Sequence, residues 1–202
     1  MINTKIKILQ GVGHMFHMDG DDRIMMLDRV GFRSWLEANH STARECLLVV
    51  DRSDGRSGLP YLDALEEALC FGWIDSTVRM VDRVGTVQRF SPRRRGGRWT
   101  ELNRARCARL EHLGLMTDAG REALSWAGPF SIDPDVMAAL SADPGVLETF
   151  MSFPELYRRV RVDNIQSHRR DPEVFTRRLS KLVDSTRAGR MYGSWDDGGR
   201  LP

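Results

Sequence analysis

The sequence predicts an α+β fold: a small antiparallel sheet with packed helices, followed by an all-helical C-terminal module. Three observations carry that expectation. Residues 61–103 hold a helix-period apolar run, then two alternating segments on either side of a turn. Residues 45–50 (ECLLVV) form a short apolar run suited to a buried strand. After Gly128-Pro129 every pattern is helical, and each new helix opens at a residue before proline.

In chain order, residues 1–28 read as an N-terminal arm. Within it Lys5 to Leu9 alternates like a short strand. Gly11-Val12-Gly13 follows, but Phe16 stands where a dinucleotide fingerprint needs its third glycine. His14 and His17, with Asp19, Asp21 and Asp22, resemble metal ligands by residue type. Their methionine- and glycine-rich setting favours a polar arm instead, so no metal is expected.

Residues 29–128 read as the α+β core. Phe32, Trp35 and Leu36 share one face of a helix, and Asn39, His40 and Ser41 stop it. Pro60 opens the next helix, on which Tyr61, Leu62, Ala64, Leu65, Ala68, Leu69 and Phe71 cover about half the circumference. Asp63, Glu66, Glu67 and Cys70 take the remainder. Gly72 ends this helix, and Trp73-Ile74-Asp75 leads into a hairpin that turns at residues 82–85. Thr100 is placed to cap a helix from Glu101, and Thr117 or Asp118 to cap another reaching Trp126. Residues 129–187 read as the helical module and 188–202, rich in glycine, as a loose tail.

Composition narrows the function classes. The chain has 202 residues, 41% of them hydrophobic, and a net charge of +2, which fits an ordinary globular protein. Cys46, Cys70 and Cys107 are odd in number and lack zinc spacing, so reduced, buried thiols of a cytoplasmic protein are expected. No run approaches the roughly 20 apolar residues of a membrane span. Arg93, Arg94, Arg95 and Arg98 cluster, but only Phe90 and Trp99 flank them, which argues against nucleic acid as partner.

By this point a family resemblance has its residues. ALCFGWID at 68–75, RFSPRR at 89–94 and WTELN at 99–103 resemble the YdeI/OmpD-associated, or bacteriocin-protection, family. The resemblance extends over roughly residues 30–187, including Ile132 to Val136, Phe150 to Arg159 and Thr176 to Leu179. It implies an α+β part and a helical module in a cytoplasmic bacterial protein of resistance or stress phenotype. Two departures matter: Ser76 stands where the family has glycine, and Ser167-His168 replaces an Ala-Lys pair.

The site expected from the residues lies between Tyr61 and Arg106. Asp75 and Arg89 (or Arg93) could pair, leaving Asp75 either a general base tuned by a guanidinium or one half of a structural ion pair. The arginines suit an anion, because guanidinium forks match carboxylate and phosphate. Tyr61, Trp73 and Trp99 could wall an aromatic pocket or fill core. Asn103 and Arg106 fall on or beside the apolar face of their helix, so they line a pocket or meet polar partners. The expected function is a small-molecule-binding protein of stress tolerance or self-resistance with an anionic or aromatic ligand. Asp75 and Arg89 would be catalytic residues in the alternative of a cofactor-independent enzyme of natural-product biosynthesis. A third alternative is a protein-interaction module acting through the helical end.

Overall fold

The computed structural model describes residues 5–9, 13–17, 23–52 and 58–202, with side chains in 24–52 and 58–202. The histidines and aspartates weighed as metal ligands lie outside the described side chains. The chain divides into two compact units, residues 1–97 with 110–126, and residues 98–109 with 127–202.

The first unit is built on a sheet of β1 (Lys5–Leu9), β2 (Gly13–His17), β3 (Arg23–Met26), β4 (Cys46–Asp51), β5 (Leu59–Pro60), β6 (Trp73–Val81) and β7 (Gly85–Pro92). Its order is β1-β2-β3-β4-β7-β6, with β5 beside β4. The β6–β7 hairpin and the β4–β7 pair are antiparallel. The sheet as a whole is mixed, however, because β3 and β5 both join β4 in parallel. A parallel neighbour needs a crossover, and α1 (Arg29–Asn39) supplies the one between β3 and β4.

One face of the sheet is covered by α1 and α2 (Tyr61–Cys70). Phe32 and Leu36 of α1 are wholly buried, and Phe32 meets Phe90 of β7 at 5.6 Å between ring centroids. Trp73 packs edge-on to Trp35 at 5.7 Å, and its indole N–H donates to the His40 carbonyl at 3.1 Å. That bond satisfies a carbonyl left open at the end of α1. On the other face Ile24, Val49, Val81, Val84 and Val87 form a second apolar cluster.

The acidic side of α2 is not a solvated face. Glu66 and Glu67 are each only 3% exposed. Arg29 spans Asp63 (3.1 Å), Glu66 (3.0 Å) and Glu67 (2.6 Å), while Arg33 holds the second oxygen of Glu67 at 2.9 Å. Two guanidiniums from α1 therefore neutralise the carboxylates that α2 carries inward. Beyond α2, α4 (Asp118–Ser125) is capped by Thr117, whose hydroxyl also donates to the Cys70 carbonyl at 2.6 Å.

The second unit begins where α3 (Glu101–His112) is capped twice: the Thr100 hydroxyl accepts from Asn103 N–H (3.2 Å), and Asp163 from Glu101 N–H (3.2 Å). Prolines open α5 (Pro134–Ser141), α6 (Pro144–Ser152) and α8 (Pro172–Arg187), and Pro154 caps α7 (Glu155–Gln166). These are the positions where a missing N–H costs nothing. Val136, Leu140, Val146, Phe150, Val162, Ile165 and Leu182 fill the centre. The tail after α8, expected to be loose, is instead anchored: Leu201 is buried, and Asp197 forms an ion pair with Arg106. Among the described residues no helix is long and apolar enough to cross a membrane.

Candidate functional site

On the face of the first unit's sheet opposite α1 and α2, a cavity of about 170 Å³ is lined by Glu45, Leu47, Thr77, Arg79, Val87 and Arg89. Strand alternation explains the set: Leu47 pairs with Arg89 and Arg79 with Val87, so all four point to one face. Leu47 and Val87 make an aliphatic floor beneath two guanidiniums. The Arg89 fork is fixed in place: Nε donates to Glu45 at 2.8 Å and an Nη to the Ser76 hydroxyl at 3.0 Å. An Nη of Arg89 also reaches the same Glu45 oxygen at 2.6 Å, so the edge of the guanidinium that suits a carboxylate or phosphate is held by Glu45. Of these residues, sequence reasoning had found Arg89 alone. Glu45, Thr77 and Arg79 depend on hairpin register, which no local pattern reveals.

Asp75 and Arg89 do not pair. Asp75 stands opposite Phe90 in the hairpin, one residue out of step with Arg89, so the two point to opposite faces. Asp75 accepts a hydrogen bond from the Tyr61 hydroxyl at 2.7 Å instead. The Arg52 guanidinium lies 3.9 Å from the Tyr61 ring centroid and donates to the Gln88 amide oxygen at 2.6 Å. Gln88 is wholly buried, and its amide N–H groups donate to Thr77 O (3.0 Å) and Arg89 O (3.2 Å). Thr77 lies in the β-bulge between Asp75 and Val78, so Gln88 satisfies a carbonyl that the bulge leaves off the ladder. Tyr61 and Asp75, each expected at the site but not as partners of one another, thus meet directly, while Arg52 and Gln88 were not anticipated. Trp73, 1% exposed, belongs to the core.

The arginine loop is engaged at separate points. Arg93 is set by its backbone N–H donating to Gly72 O at 2.9 Å. Arg95 meets Glu122 at 3.3 Å and lies over the Trp126 ring at 5.2 Å. Arg98, in the second unit, forms an ion pair with Asp163. There too, Trp99 is buried, and Arg106 is bound on both sides. Its Nε and an Nη reach the two oxygens of Asp197 at 2.6 and 2.7 Å, and its other Nη donates to Asn103 Oδ1 at 2.6 Å. The polar residues on the inner face of α3 therefore meet protein partners.

The three cysteines are buried and form no disulfide. Burial pushes the Cys70 thiol up to about 11, and burial likewise raises Cys46 far above the usual thiol range. Neither is a nucleophile at neutral pH. Among the described residues no three of His, Cys, Asp or Glu are grouped to hold a metal ion.

Two family models match the chain. Residues 24–123 match one described as "Domain of unknown function (DUF8412)", and residues 129–189 match the family described as "Bacteriocin-protection, YdeI or OmpD-Associated". The resemblance read over residues 30–187 is thus carried by the helical segment. The ALCFGWID and RFSPRR motifs fall within the other match. No curated protein and no solved structure matches the chain significantly.

Proposed function

With residues 129–189 belonging to the bacteriocin-protection, YdeI or OmpD-associated family, we propose that this chain is a small-molecule-binding protein of stress tolerance or self-resistance. Its first unit would bind an anionic ligand over β4, β6 and β7. The observation that carries this reading is the cavity with Arg79 and Arg89 above an aliphatic floor. Its volume, about 170 Å³, is below the ~300–1,000 Å³ usual for drug-sized ligands. The fit is to a small carboxylate or phosphate, or to the anionic end of a longer molecule. Glu45 neutralises the Arg89 guanidinium, so an incoming anion competes with it and ligands that bind both arginines are favoured.

A thermal-shift screen of small carboxylates and phosphates tests this. Anions that raise the midpoint of the wild-type chain should bind Arg89→Ala at least tenfold more weakly, the loss expected for a hydrogen bond to a charged group. A screen with no responding anion, or responses that persist in Arg89→Ala, would sink the reading. Glu45 is half exposed, so it stays hydrated in the variant and folding is preserved.

A second reading, a cofactor-independent enzyme, has its own observation in the Tyr61–Asp75 hydrogen bond beside Arg52. A phenol and a carboxylate in contact can pass a proton to or from a substrate held there. In that case Asp75→Asn removes turnover while ligand binding survives. Equal loss of both would return Asp75 to a structural role.

A further inference from the structure

Residues 190–202 touch the second unit in the manner of a bound peptide. The segment leaves α8 with Arg190 N–H donating to Ser185 O at 2.9 Å and ends in a turn of its own, with Gly199 and Leu201 both donating to Asp196 O at 3.1 and 2.9 Å. Side chains make the attachment. The Asp197 carboxylate receives the Arg106 fork described above, and Arg106 and Asn103 are both 8% exposed, so this is a desolvated, fully oriented carboxylate site. Tyr157, wholly buried, takes the rings of Tyr192 and Trp195 edge-on at 6.4 and 5.9 Å. Arg161 lies over Tyr157 and Tyr192 and donates to Ser194 O at 2.7 Å, holding the intervening main chain. Gly193 sits at φ 70°, the left-handed region that favours glycine, and a Cβ there would lie 2.5 Å from the Arg161 guanidinium, which would have to shift. Asp197 itself sits at φ 52°, a conformation that non-glycine residues seldom adopt.

From these features we infer that the second unit carries a peptide-recognition site for an acidic aromatic segment, an aromatic residue followed two positions later by Asp, and that the chain's own tail occupies it as an internal ligand. The residues that read the aromatic ring and main chain, Tyr157 and Arg161, lie within the segment 129–189 matched by one family model, the carboxylate readers Asn103 and Arg106 lie within the segment 24–123 matched by the other, and the tail that fills the site lies beyond both. A tethered occupant holds an effective concentration in the millimolar range, so a partner peptide gains access only when the strap is weakened or outcompeted. This inference is independent of the anion cavity in the first unit.

The test uses full-length chains and a fluorescent peptide copying residues 190–202, followed by anisotropy. Asp197→Ala in the chain loosens the strap and should bind the peptide at least tenfold more tightly than the wild-type chain. A peptide carrying Asp197→Asn should lose at least tenfold on that same chain. Trp195→Ala loosens the other anchor and should give the same gain, so the test stands if one variant folds poorly. Chains that bind no better than wild type, or an Asn peptide that binds as well as the Asp peptide, would overturn the inference and leave the tail a fixed structural element.

Discussion

At the scale of single residues, the most consequential side chain in the first unit is Arg29. It is 37% exposed by side chain, yet it contacts two carboxylates that are each 3% exposed. Removing a carboxylate leaves the arginine its other partners and access to water. Removing the arginine takes the shared cation from two buried carboxylates at once, with Arg33 still holding Glu67. Arg29→Ala is therefore expected to destabilise the chain by about 3 kcal/mol, and Glu67→Gln by much less, as read from urea unfolding midpoints; equal losses would refute the asymmetry. A second residue-scale prediction concerns pH. Hydrogen bonds from Arg169 hold the Asp135 carboxyl down to about 2. The sign follows: the depressed group contributes stability that is fully present above its unfolded pKa of about 3.9 and is lost as pH falls through about 2. A carboxyl titration followed by NMR should give a midpoint near 2 for Asp135, returning to ~3.9 in Arg169→Ala. An ordinary midpoint in the wild-type chain would mean that the clamp is not formed in solution.

At the scale of elements, α2 and α4 meet so closely that one glycine decides their spacing. A Cβ at Gly120 would collide with the Cys70 carbonyl, a backbone atom that has no rotamer to yield. Alanine gains about 1 kcal/mol of helix propensity over glycine, while overpacking against backbone costs about 1–3 kcal/mol. Gly120→Ala should therefore destabilise, and a raised melting temperature would contradict this contact. Elements were also the scale most legible from sequence. The Tyr61–Cys70 helix, the hairpin behind Trp73 and the proline-opened helices follow from local periodicity and from where a missing N–H is harmless. Less legible were features that depend on residues distant in the chain. Glu66 and Glu67 could be placed off the apolar face of their helix but not paired, because the arginines that hold them lie over 30 residues away. Arg106 looked like a pocket residue because its carboxylate partner is 91 positions on. The candidate site suffered most, since register decides which face receives Asp75 and Arg89.

At the scale of the whole molecule, α3 is shared: residues 98–109 group with the helical unit and 110–126 with the sheet unit. Arg106 is tied to Asp197, while Leu110 is wholly buried further along the same helix. A proline at the exposed Ala108 removes a helical hydrogen bond and clashes with the preceding turn, at a cost of about 3 kcal/mol or more. Ala108→Pro should then speed amide hydrogen exchange in α7, whose Asp163 caps the start of the same helix, and unchanged exchange there would contradict that link. The bulge in β6 has a different kind of consequence. It adds one residue to that strand between Asp75 and Val78, and the buried amide of Gln88 on β7 answers the carbonyl it displaces. Deleting Ser76 or Thr77 would regularise the ladder and leave Gln88 with nothing to donate to at that point. A length change in one strand and the identity of a residue in the other thus form a single heritable unit, so related chains that lack the extra residue should have an apolar side chain in place of Gln88.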